Sequence, residues 1–306
     1  MLRYIAKKPK NILRTTLLAK IMIRKPIASG QFYESDARLL EKQITDAFHH
    51  KLGPGELQVS KRQGILKAVI TPHAGYAFSG PCAAWSYMEI GESEFPSCYI
   101  IIGPSHSGRS SSVSFDEWLT PLGLVMPQRE LGKMICERIG IKKDEGEQAN
   151  EHSIEVQLPF LQFVSKDNID NLRIVPICLN NDINLKKFAL EMKEIIMDWG
   201  KDVVFIISSD FTHYGPAYGY LPFEIDKEQK LYDMDKTAID FIKNFDAKGL
   251  LSFIDQTGAT ICGAIPIALL ISTIKAKNVA LMQYYTSGDL SGSFKNAVGY
   301  AAISFK

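Results

Sequence analysis

Apolar positions in this chain follow two periods, and the alternation between them outlines the fold. Short unbroken runs closed by turn residues predict buried strands at Ile65–Thr71, Tyr99–Ile102, Leu172–Leu179 and Val203–Ser208, with further strands near Ala280–Thr286 and Gly299–Phe305. Between them, apolar residues recur every three or four positions opposite charged ones, which predicts helices over Ala37–Lys51, Leu131–Ile139, Leu185–Trp199 and Lys227–Phe241. Pro81–Glu89 reads as a helix with proline near its first turn, and Ile265–Ile274 as a core helix. Asn150 predicts the N-cap of another helix, carrying His152, Ile154, Glu155, Leu158 and Leu161, which Pro159 would kink or end. Strands that are apolar throughout must be covered on both sides. The expected fold is therefore a single α/β domain, with a central mixed or mostly parallel sheet between two layers of helices.

Chemistry gathers where the apolar runs stop. ILKAVITPHAGYAFSG ends its run at Pro72 and His73; SCYIIIGPS delivers His106 past a Gly-Pro turn; DVVFIISS delivers Asp210 and His213. Open α/β sheets carry their ligands at the carboxyl ends of strands, so three imidazoles can meet on one rim. Each alone is also explained as a loop histidine satisfied by hydrogen bonds; together they suit zinc, iron or copper. Asp210, three residues before His213, would orient that ring or simply cap the turn. His152 and Glu155, at i and i+3, would share a helix face and supply two ligands or a ligand and its partner, although a solvated face produces the same spacing. Cys262, in GATICGAIP, is in isolation a buried thiol; as a thiolate beside two histidines it would suit iron(II), copper(I) or zinc.

Composition narrows the function classes. The chain has 306 residues, 46% of them hydrophobic, with no linker, repeat or low-complexity tract, which favours one domain. The formal charge of +1 hides an asymmetry: residues 1–25 hold eight Lys or Arg and no acid, leaving 27 basic against 34 acidic residues, a net of −7, in the rest. That body gives no reason to expect a nucleic-acid partner. The leader reads as an upstream extension, an organelle-targeting peptide or a nucleic-acid arm, and the extension is favoured because Met22 opens the text of a folded domain. Residues 1–21 are then outside the fold and 22–306 form the domain. Five cysteines without a CxxC spacing argue against a disulfide framework or zinc finger and for a reducing, cytoplasmic setting, with organelle targeting by the leader left open. Gln256–Ile274 is free of charge but is broken by Gly258, Gly263 and Pro266, so a core helix is expected there and no membrane span.

The segments MIRKPIASGQFY, TPHAGYAFSG, GPSHSG, NEHSIEVQLPF, SSDFTHYG and TICGAIP, in this order across nearly the whole chain from Met22, resemble the MEMO family. That family shares its fold with the class III extradiol dioxygenases, which use non-haem iron. The resemblance implies a mononuclear metal pocket in which His73 and His106 are ligands and Cys262 replaces the dioxygenase glutamate. His213 would match the dioxygenase base, with Asp210 and His152 lining the same pocket. Iron(II) is the first expectation for the metal, copper or zinc the alternatives. A thiolate is softer than a carboxylate and is itself oxidisable, so dioxygenase activity does not transfer with the fold. Two classes of function remain: a metal-dependent oxidoreductase acting on a small molecule, or a binding protein that receives a phosphorylated or acidic peptide, since an animal member of the family is associated with phosphotyrosine peptides. A metal-buffering or copper-carrying role, with a protein partner, lies between them.

Overall fold

A computed structural model describes residues 22–58, 62–106 and 110–306. In chain order its strands are β1 (Ile23–Arg24), β2 (Ala68–Thr71), β3 (Cys98–Pro104), β4 (Ser112–Val113), β5 (Glu117–Thr120), β6 (Gly123–Pro127), β7 (Lys142–Lys143), β8 (Arg173–Leu179), β9 (Val203–Ser208), β10 (His213–Tyr214), β11 (Val279–Thr286) and β12 (Ala297–Phe305). The helices are α1 (Ala37–His49), α2 (Tyr76–Glu92), α3 (Arg129–Ile139), α4 (Glu145–Ala149), α5 (Gln157–Val164), α6 (Leu185–Trp199), α7 (Lys227–Lys243), α8 (Ala247–Thr257), α9 (Ala264–Thr273) and α10 (Ser287–Ser291).

Five parallel strands in the order β6-β8-β3-β9-β2 form the centre of one mixed sheet. β12 adds antiparallel beside β2, with β10 and β11 on β12, and β5 pairs antiparallel with β6. Successive residues in a strand point to opposite faces. Ala68, Ile70, Ile100, Ile102, Phe205 and Ile207 pack with α3, α6, α7, α8 and α9, whereas Val69, Tyr99, Ile101, Val204 and Ile206 pack with α1, α2 and α5. Both faces are dry, which is why these strands carry no polar alternation.

Chain order and spatial order diverge in a way that places the site. The connection from β2 through α2 to β3 steps over β9 on one face, and that from β8 through α6 to β9 steps over β3 in the reverse direction on the other. Opposite steps on opposite faces keep both crossovers the same hand, as parallel units require. The carboxyl ends of β3, β9 and β2 are thereby adjacent, and the loops leaving them open away from one another into a crevice.

Several expectations are corrected. Asn150 follows the short helix α4 as its C-terminal cap and does not begin the next helix. Residues 151–152 are irregular, residues 153–156 are turn, and α5 starts at Gln157. Pro159 is then the third helical residue, where the missing N–H has no intrahelical acceptor to lose, so it neither kinks nor ends the helix. α2 begins five residues before Pro81, at Tyr76, with Gly75 as its N-cap, and the proline lies inside it. The hairpin β5–β6 and helix α8 were not anticipated, the first because its strands are short, the second because its apolar residues are interrupted by Ser252 and Asp255. The expectation for residues 1–21 falls outside the described residues. Arg24, which charge alone groups with the basic leader, is a buried part of the fold. Gln256–Ile274 covers the end of α8, a turn and α9, and among the described residues no helix is long and apolar enough to cross a membrane. All five cysteines are unpaired.

Candidate metal centre

The three strand ends deliver their side chains to one place. His73 follows β2, His106 follows β3, and Asp210 and His213 follow β9; Cys262 enters from the turn before α9. His73 Nε2 lies 3.3 Å from Cys262 Sγ, and one donor atom from each of His73, His106 and Cys262 can be chosen so that all lie within 4.8 Å of one another. The His73 ring stands edge-on to both His106 and His152, at centroid distances of 5.3 and 5.5 Å. His152 stacks on His106 at 4.6 Å, with Phe32 covering its outer side at 4.7 Å. Cys262 reaches the histidines because the next residue is glycine: a Cβ on Gly263 would sit 2.3 Å from that of Ser209 and 2.9 Å from the Ser208 carbonyl.

Hydrogen bonds fix which ring nitrogen each histidine presents. The Ser208 hydroxyl donates its one proton to the Ser153 carbonyl (2.6 Å) and accepts from Gln157 Nε2 (2.8 Å). It must therefore also accept from His73 Nδ1 at 2.8 Å, so Nδ1 carries the hydrogen and Nε2 is a lone pair. Gln157 is oriented in turn by the Pro72 carbonyl, which takes its amide N–H, and by Tyr87, which donates to its oxygen. At His213, Nδ1 meets the Thr260 carbonyl at 3.0 Å, which again places the hydrogen on Nδ1. Thr260, and not Asp210, thus orients His213. Asp210 instead accepts from the backbone N–H of His73 (2.8 Å) and fastens the loop after β2 to the loop after β9. At His106, Nδ1 and the backbone N–H both bind the Glu151 carboxylate, at 2.9 and 2.6 Å.

Glu151 is the residue that sequence reasoning passed over. The i, i+3 spacing paired His152 with Glu155, but in a turn that spacing does not define a face. Glu155 points away from the histidines and is fully buried, with its carboxylate on Arg24 Nη1 (2.7 Å), the N–H groups of Ile27 and Ala28, and the Tyr33 hydroxyl. Arg24 also donates to the carbonyls of Gln148 and Glu151 and stacks on Trp118. The segment from Arg24 to Tyr33 is therefore a clamp on the turn that carries Glu151 and His152. Two basic residues near the start of the domain and an acidic turn were visible in the sequence, but nothing in it marked them as partners.

Charge in the pocket is shaped by burial. Burial pushes the His73 pKa well below the ordinary imidazole value, aided by the neighbouring rings of His152 and His106. Burial and the nearby His106 likewise lower His152. For His106 burial opposes the cation, but the hydrogen bond and charge of Glu151 outweigh it and raise the pKa. Glu151 itself is brought down to about 2: burial works against ionisation, and the His106 contacts with the backbone N–H groups overcome it. Burial raises the Cys262 thiol, as does the Asp210 charge beside it. Burial also raises Asp210, with His213 pulling the other way.

The donor set fits a borderline or soft divalent ion. Ligand bonds of roughly 2.0–2.3 Å imply ligand separations of roughly 3.1–3.6 Å on one ion, and the Cys262–His73 approach of 3.3 Å lies in that interval. Because His73 Nε2 is unprotonated, the thiol hydrogen bridges sulfur and nitrogen, in the position a cation would take. Ser208→Ala removes the acceptor that holds His73 in this tautomer. We expect affinity for iron(II), read by chelator competition, to fall about 10–100-fold with folded structure retained; unchanged affinity would mean the tautomer is fixed elsewhere.

Comparison with known proteins follows the same boundaries. The family described as Memo-like protein matches residues 24–304. A MEMO1 family protein of Methanopyrus kandleri is 39% identical over 298 residues, covering 93% of this chain and 99% of that one. Similar proteins of the same description occur in Methanothermobacter thermautotrophicus, 37% identical over 92% of this chain and 100% of that one, and in Thermococcus onnurineus, 36% identical over 93% and 100%.

Proposed function

Since the chain belongs to the Memo-like protein family, we propose that it is a metal-dependent oxidoreductase whose pocket holds iron(II), with copper or zinc as alternatives, through His73, His106 and Cys262. The observation that carries this reading is the trio of donors: two imidazole nitrogens from the loops after β2 and β3, the parallel strands that flank β9, and a thiol from the turn before α9. Bound iron(II) would supply a one-electron couple and open positions for a substrate, under the influence of a soft thiolate. The protein's own groups then have distinct tasks. His213, its Nδ1 held by the Thr260 carbonyl, presents Nε2 as the atom to exchange a proton with a substrate; Asp210 secures the His73 loop; His152, shielded by Phe32, lines the side wall.

Metal content measured by mass spectrometry, on protein purified without oxygen or added metal, tests the proposal. Stoichiometric iron or copper is expected in the native chain and not in His73→Ala or Cys262→Ala. Protein that refuses both metals when they are supplied would sink it. A second expectation concerns protons: uptake of a divalent ion should release about one proton from the thiol, which is neutral before binding, and a further fraction from His106, which is held toward its charged form, that shrinks as pH rises. Calorimetry in buffers of different ionisation enthalpy reads this release, and metal that binds the native chain with no release of protons would show that the thiol is not a ligand.

One observation favours a binding role as the second reading. His106 is held toward its charged form between two other imidazoles, those of His73 and His152, a setting that attracts an anion. Metal-free protein that binds a phosphotyrosine peptide in calorimetry would support that reading, and peptide that binds neither form would remove it. Copper that is held but passes to a partner protein without turnover would mark a carrier.

A further inference from the structure

Far from the histidines, on the helical layer formed by α6, α8 and α9, lies an open groove of about 800 Å³. α6 lines it with Leu185, Ala189 and Leu190, and α8 with Ala247 and Leu251, while Ser272 of α9 lies between them. The lining positions run from 185 to 193 on one wall and from 247 to 255 on the other, so each wall extends about 12 Å along its helix. Two helix walls that turn apolar side chains toward a groove between them have the form into which a third helix packs. Leu190 is 57% exposed, a large apolar side chain left uncovered at the lip.

Charge selects the occupant. Lys186, Lys193 and Lys248 stand on the walls against the single acid Asp255, and none of the three lysines forms an ion pair among the described residues. The chain beyond residue 25 has a net charge of −7, so this excess of positive charge is local and not a property of the whole surface. A segment as basic as residues 1–21, with six Lys or Arg and no acid, has the wrong charge to complement such a site. We propose that this groove receives an amphipathic helix of a partner protein, with leucine-type residues at three- and four-residue spacing on one side and Asp or Glu flanking them.

The test uses the full chain and a fluorescein-labelled synthetic helical peptide with leucines at that spacing and glutamates on both sides. Its counterpart has every glutamate replaced by lysine. In fluorescence anisotropy the acidic peptide should bind, more weakly as salt rises, and the lysine peptide should bind at least about tenfold less tightly. Leu190→Glu should weaken the acidic peptide about tenfold or more, and the triple variant Lys186→Glu, Lys193→Glu, Lys248→Glu should transfer the preference to the lysine peptide. All four positions are exposed or at the lip, so circular dichroism and metal content should match the native chain. Equal binding of the two peptides, absence of binding, or full binding by Leu190→Glu overturns the proposal. Concentration-dependent dimerisation abolished by Leu190→Glu would assign the groove to a second copy, and sedimentation with anionic vesicles lost in the triple variant would assign it to a lipid surface; either result also overturns it.

Discussion

Glu155→Ala is expected to cost about 3–5 kcal/mol of stability, the largest effect of any single substitution considered, measured by urea denaturation. The carboxylate is fully buried and satisfies Arg24, two backbone N–H groups and the Tyr33 hydroxyl at once. Removing it leaves a buried guanidinium without its counter-charge and three further donors without an acceptor. Arg24→Ala should cost less, because those three donors continue to satisfy the carboxylate left behind, although the carbonyls of Gln148 and Glu151 lose their partner. Both substitutions should also weaken metal binding, since they release the turn on which Glu151 orients His106. A loss under about 1 kcal/mol for Glu155→Ala would show that the N-terminal clamp is not coupled to the fold.

The second large effect is a pH dependence carried by Asp235. This residue of α7 is fully buried; its carboxylate accepts from the N–H and hydroxyl of Thr212 and from the Tyr284 hydroxyl, with Gly299 leaving the space it occupies. Burial raises its pKa to about 6, against the lowering pull of Thr212 and Tyr284. The folded value lies above the reference of 3.8, so the native state binds the proton more tightly than the unfolded chain does. Its contribution to stability is complete below about pH 4 and is lost as pH rises through 6, a change of about 3 kcal/mol. Asparagine imitates the protonated acid, accepting from Thr212 and donating to Tyr284. The stability of Asp235→Asn relative to the native chain should therefore rise by about 2 kcal/mol between pH 4.5 and 7.5, the remainder of the change lying below pH 4.5. Glu151 titrates in the opposite sense: its folded value near 2 lies below the reference of 4.5, so its contribution is present above 4.5 and is lost toward pH 2. A difference between native and variant protein that does not vary with pH would assign Asp235 a partner that keeps it ionised.

The rim of the sheet was legible in the sequence because strand and turn are local properties. A β-branched run ending in Pro-His or Gly-Pro-Ser-His specifies its own exit, and His73 and His106 leave the sheet where those signals stand, while His213 follows the end of β9 and re-enters the sheet edge in β10. Cys262 could be placed near them only through the resemblance to the MEMO family, since the glycine that admits it, Gly263, works against Ser208 and Ser209, more than fifty residues away. Glu151 was missed because residues 150–164 carry a helical pattern that the chain interrupts. Arg24 bonds to carbonyls of residues 148 and 151, and those carbonyls are unavailable to a continuing helix. Counting charge likewise put Arg24 with a solvated leader, because composition carries no information about burial.

The strand order has a consequence for how the protein is made. β3 is flanked by β8 and β9, and β2 by β9 and β12, so neither early strand has a neighbour until much later residues have left the ribosome. At roughly 5–20 residues per second, some 8–30 seconds separate the emergence of His106 from that of Cys262. Until β8 and β9 have emerged the early histidines are ordinary imidazoles on an unpaired chain, and until Cys262 emerges the donor set lacks its thiol. On the proposed centre, metal choice would therefore belong to the completed chain, and loading would follow synthesis.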